Sequence, residues 1–113
     1  MKITRFAEAP SYVAALHTDV DTWRLQGLEA GTTDNFWIGL SVYNPGGVAE
    51  SSPTKSETMY VVLDGELTLE SGGEVSVLKK HDSVRFAPGE IRQMTNMTHQ
   101  PATLLVTIAY PKA

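Results

Sequence analysis

No uninterrupted apolar stretch in this chain exceeds five residues, and that spacing restricts the fold more than any other feature. The longest are Tyr12 to Leu16, Phe36 to Leu40 and Met59 to Leu63. Between the apolar stretches stand Asn44-Pro45-Gly46-Gly47, Asp64-Gly65, Ser71-Gly72-Gly73 and Ala87-Pro88-Gly89-Glu90. Pro fixes φ and Gly admits positive φ, so each of these groups predicts a reversal. Asp64-Gly65 is a hairpin signal, and Glu66-Leu67-Thr68-Leu69-Glu70 behind it alternates polar and apolar side chains with period two. Strands are expected over 36–43, 58–63, 66–70, 74–78, 83–86, 91–95 and 103–110, with another over 22–28. Residues 11–17 read as a short helical turn or an extended arm. Val, Ile and Thr supply 26 of the 113 residues, which suits pleated surfaces. Eight or nine short strands left as one open sheet would expose edges and a greasy face, so an all-β jelly-roll barrel is the expected solution. The chain reads as one domain, with an N-terminal arm and strands in 1–35 and the barrel body in 36–110.

Charge and composition exclude several kinds of function. The net charge is -4, and the only basic cluster is Lys79-Lys80-His81, far short of a nucleic-acid-binding stripe. No apolar run approaches the roughly 20 residues of a membrane-spanning helix. The first residues, Met1-Lys2-Ile3-Thr4-Arg5, lead to Glu8 and Pro10 instead of an apolar signal core, so the cytoplasm is the expected compartment. With no Cys, thiolate nucleophiles and Cys-ligated zinc or iron–sulfur sites are absent from the chemistry.

The order of the pieces resembles the cupin family over roughly residues 36 to 110. Pro45-Gly46-Gly47 and Tyr60-Val61-Val62-Leu63-Asp64-Gly65-Glu66-Leu67 match the flanks of that family's first motif. His81-Asp82-Ser83-Val84-Arg85-Phe86-Ala87-Pro88-Gly89 and Asn96 carry the frame of the second. The resemblance implies a double-stranded β-helix barrel, commonly paired as a homodimer. It also implies three histidines and a glutamate around a metal, and here the chain departs from the pattern. Counted from Gly65 and Asn96, the four ligand positions fall on Ser52, Thr54, Thr58 and Arg92. Hydroxyls alone are too weak to hold a first-row metal. His17, His81 and His99 have no ligand spacing between them and read as surface or turn histidines. No metal and no cofactor is therefore expected.

An inward arginine would need a partner, because a guanidinium cannot lose its proton to escape burial. Its planar fork suits a carboxylate, enolate or phosphate, and Ser52, Thr54 and Thr58 add hydroxyls that do not repel an anion. Tyr60 lies two residues past Thr58 on the same strand face and is a candidate acid; Glu57 is the nearby carboxylate that would serve as base. Set against these roles, Arg92 pairs with Glu57 or Glu90 at the rim, Tyr60 is a core aromatic, and Asn96 and Asp82 brace turns. Trp37, Gly39, Ser41 and Tyr43 share one strand face, inward or outward according to register. The expected function is a metal-independent cupin that binds a small anionic organic molecule, with lyase, isomerase or hydrolase chemistry by acid and base. The alternative is a ligand-binding or regulatory module without catalysis, and the position of Glu57 discriminates the two.

Overall fold

The computed structural model describes residues 1–112 and contains the expected all-β barrel. Its strands are β1 (His17–Gln26), β2 (Phe36–Pro53), β3 (Thr58–Asp64), β4 (Leu67–Ser71), β5 (Glu74–Leu78), β6 (Ser83–Phe86), β7 (Ile91–Thr95) and β8 (Ala102–Ala109). Single 3-10 turns cover Phe6–Glu8 and Leu28–Ala30. The strands run antiparallel in the order β5-β4-β7-β2-β8-β3-β6, with β1 added to β2. The sheet curls into a nearly closed jelly-roll barrel whose unjoined edges are β5 and β6.

β2 differs from expectation. Asn44 to Gly47 was expected to close a strand, yet the chain continues in extended form to Pro53. The group acts as a corner. Up to Tyr43, β2 pairs with β8; from Val48 it pairs with β7, so one strand crosses between the two halves of the barrel. Gly47 permits this corner because a Cβ there would lie 2.5 Å from the Asp19 carbonyl oxygen on β1. Asn96 holds the same corner from inside. It is 1% exposed, donates to the carbonyls of Tyr43 (2.9 Å) and Gln100 (2.7 Å), and accepts from the Thr98 N–H (2.9 Å). Asp82 braces its own turn by accepting from the Lys79 N–H (2.8 Å).

Period-two alternation explains the core. Val62, Leu67, Leu69, Met94, Leu104 and Val106 face inward from four different strands and pack with Phe86, Tyr43 and Tyr60. Each such side chain contributes about 1.5–3 kcal/mol through removal from water. Four members of this cluster, Tyr43, Tyr60, Leu104 and Val106, also border a cavity in the barrel. Residues 11–17 form no helix: Ser11 bridges to Trp23, the Tyr12 N–H donates to the Thr22 carbonyl (3.1 Å), and a turn at Ala15-Leu16 leads into β1. The Glu50 N–H donates to the Leu16 carbonyl (2.8 Å), which pins the far end of the arm across the open mouth.

Candidate functional site

The register places Ser52 opposite Arg92 on the β2–β7 ladder, while β3 presents Tyr60 from the opposite wall. The three meet. Arg92 donates through Nε to the Tyr60 hydroxyl (3.1 Å) and through Nη1 to the Ser52 hydroxyl and the Glu50 carbonyl, both at 3.2 Å. All three acceptors are neutral. The two ion pairs among the described residues lie elsewhere, between Arg24 and Glu29 and between Arg85 and Glu57. Glu90 accepts instead from the Ala87 N–H (2.8 Å).

Arg92 and Tyr60 line a cavity of about 260 Å³. Leu104, Val106 and Ile108 form its apolar floor, and Ser41, Tyr43 and Trp37 continue the wall along β2. The Trp37–Tyr43 face therefore looks inward, with Ser41 and Tyr43 buried. The N-terminal arm and β1 supply the remaining wall with Tyr12, His17 and Arg24. No Asp or Glu is among the described lining residues.

Arg24 is held differently from Arg92. Its guanidinium carbon sits 3.3 Å from the Tyr12 ring centroid and 4.4 Å from that of Trp37, a cation–π clamp whose charge Glu29 balances at 3.2 Å. Burial pushes the Tyr12 hydroxyl pKa up, with Arg24 opposing that rise, and burial pushes the Tyr43 hydroxyl up strongly. His17 moves in the direction that favours its neutral form: burial lowers its pKa, and the positive charge of Arg92 lowers it further.

Three residues expected in the site are not part of it. Thr54 donates to the carbonyls of Ala87 (2.9 Å) and Glu90 (3.1 Å), so its hydroxyl fastens a turn. Thr58 is 2% exposed and donates to the Ser56 carbonyl (3.0 Å). Glu57 stands on the outer surface, 2.7 Å from Arg85 Nε, beside a hollow of about 550 Å³ also lined by Lys55 and Tyr110. Alternation is the reason. One residue from inward Thr58, Glu57 points outward, and no bulge returns it because the β3 ladder is regular from Thr58 to Val62. The donor chemistry at Ser52, Thr54, Thr58 and Arg92 does not fit a divalent metal, and among the described residues no three His, Cys, Asp or Glu side chains gather.

The sequence profile of the family described as Cupin domain matches residues 39–108. The chain belongs to the cupin family. This cupin is 57% identical over 113 residues to a protein named beta-D-galactosidase from Mycobacterium tuberculosis, covering 100% of this chain and 97% of the relative. Its fold is similar to the polyketide cyclase RemF from Streptomyces resistomycificus, with a TM-score of 0.84 and 17% identity over 96% of this chain and 79% of the other. It is also similar to a predicted oxalate decarboxylase from Thermotoga maritima, with a TM-score of 0.81 and 19% identity over 96% and 98%. At those identities the likeness speaks for the fold.

The wall contributed by Tyr12, His17 and Arg24 was not recognised in the sequence. Arg24 carried one local sign, since it lies two residues from Thr22 and shares its strand face. His17 carried none, because its place beside Arg92 depends on pairing with Ala49, far along the chain.

Proposed function

We propose that this cupin binds a small carboxylate in the cavity beside Arg92 without a metal. One observation carries the reading: a half-buried guanidinium on the cavity wall has only neutral hydrogen-bond acceptors among the described residues. A fixed charge away from bulk water favours an anion, and a carboxylate fits its fork. Tyr60 adds to this. Its oxygen accepts from Arg92, which leaves the phenolic proton for a bound oxygen. The aromatic faces of Tyr12 and Trp37 favour a ligand with an apolar or ring-shaped body.

The outward position of Glu57 favours binding over catalysis by that carboxylate. A second reading comes from the M. tuberculosis relative: a galactoside would place a sugar ring against the same aromatic wall. Hydrolysis by paired carboxylates needs two acids flanking the scissile bond, and the described lining contains none. The first reading is therefore preferred.

The test is a thermal-shift and calorimetric screen of small carboxylates, their methyl esters and nitrophenyl β-galactoside. Acids that bind while their esters do not support the carboxylate reading. Turnover of the galactoside with no response to any acid overturns it. The homodimer expected from the family likeness is consistent with Met59 and Leu63 exposed on the outer face of β3, and a 12.3 kDa species alone in sedimentation at micromolar concentration overturns that expectation.

A further inference from the structure

The ring of His17 lies on the cavity wall and is tied down on one side only. Its Nδ1 is 2.7 Å from the Ala15 carbonyl oxygen. A carbonyl cannot donate, so Nδ1 carries the hydrogen, and in the neutral ring Nε2 is then a bare lone pair. Nε2 has no partner among the described residues. The described lining holds no Asp, Glu, Asn or Gln; its other side-chain acceptors are the hydroxyls of Tyr12, Ser41, Tyr43 and Tyr60, each of which can donate as well, and that of Tyr60 already accepts from Arg92. The environment keeps the lone pair available, since burial, with the charge of Arg92 behind it, outweighs the Ala15 hydrogen bond that favours protonation of the ring. Tyr43 packs 6.3 Å away, centroid to centroid, and stiffens that side of the wall.

An anion site with one bare imidazole nitrogen selects among acids. We propose that His17 Nε2 accepts a hydrogen bond from the ligand, so that the molecule recognised is a hydroxy acid: its carboxylate is held by Arg92 and its hydroxyl donates to His17. This rests on the carboxylate reading above and adds the second functional group. A neutral acceptor discriminates because an acid without the hydroxyl covers Nε2 and offers it no donor.

Two matched pairs of acids test this, lactate against propionate and mandelate, as both enantiomers, against phenylacetate. Affinities are measured by calorimetry on the wild type, His17→Phe, His17→Gln and Arg92→Ala. The wild type should bind the hydroxy member of at least one pair about 3- to 10-fold more tightly, the worth of one net hydrogen bond. His17→Phe should bring that ratio close to one while leaving the hydroxyl-free acid within about twofold, and His17→Gln should restore part of the preference through its carbonyl oxygen. Nitrogen-15 spectra of the wild type provide a readout that needs no variant: Nε2 of His17 should be unprotonated, and its resonance should move with the hydroxy acid and not with its partner. A ratio near one for both pairs in the wild type, a preference that persists in His17→Phe, or a protonated Nε2 overturns the proposal. The two readings fail separately. If Arg92→Ala leaves every affinity unchanged, the carboxylate anchor is lost; if only the hydroxyl preference is absent, the anchor stands and the role of His17 falls.

Discussion

Arg24 and Arg92 stand on the wall of one cavity and are held in opposite ways. Arg24 lies flat on Tyr12, close to Trp37, with Glu29 at its Nε. Arg92 is edge-on to neutral oxygens from Tyr60, Ser52 and Glu50. Both are cationic, yet only Arg24 has its charge balanced within the described fold. A guanidinium stacked on an aromatic and paired with a carboxylate acts as a structural part of the wall. One that is hydrogen-bonded without a counter-charge is still open to an anion.

The largest effect that would break this contrast concerns ligand affinity. Arg92→Ala should weaken binding of a responding carboxylate by roughly 2 to 5 kcal/mol, because the anion would be stranded in a partly dry cavity. Arg92→Lys should also lose affinity, since a point charge does not reproduce the fork. Calorimetry on these variants and Arg24→Ala decides the matter: equal losses for both arginines would erase the distinction. Arg24→Ala should instead act on the fold, lowering stability by about 1 to 2 kcal/mol through the lost cation–π clamp, as read from urea unfolding.

A smaller effect follows from His17. Burial and Arg92 hold its pKa below the ordinary value of 6.5, so it is the unfolded chain that takes up this proton first as pH falls. Where the unfolded state binds more protons, stability decreases with decreasing pH. The wild type should therefore lose melting temperature below about pH 6.5 more steeply than His17→Phe. Parallel profiles would show that folding does not depress the titration of this ring. Neutralising Glu29 sharpens the comparison from the other side. Its carboxylate is half exposed, so Glu29→Gln should cost at most about 1 kcal/mol of stability, while freeing Arg24 as a second anchor and tightening the binding of dicarboxylates.

The smallest effect is expected at Glu57. Its pair with Arg85 is exposed on both sides, and Glu57→Gln should change melting by less than about 1 kcal/mol and leave carboxylate affinity as it was. A loss of binding in that variant would return Glu57 to the site.

Much of the barrel was legible in the chain itself. Asp64-Gly65, Ser71-Gly72-Gly73 and Pro88-Gly89 bound the strands where expected, because turn chemistry acts over two to four residues and needs no tertiary partner. The same local rule put Tyr60 and Thr58 on one face, and it set Glu57 on the other, which the expectation of a nearby base overlooked. Asn44 to Gly47 marks the limit of that rule. Its residues specify a change of direction, but only the pairing of β2 with both β8 and β7 turns that change into a corner between two halves of the barrel.

The sequence by itself determined most of the strands and their alternation, and put three hydroxyls and a guanidinium at Ser52, Thr54, Thr58 and Arg92. The tertiary structure decided which arginine is balanced and which is open. Whether a guanidinium finds a carboxylate depends on a few ångströms set by ladders between residues tens of positions apart. Those ladders bring the arm carrying Tyr12 and His17 over the mouth, and they leave Glu57 on the outside.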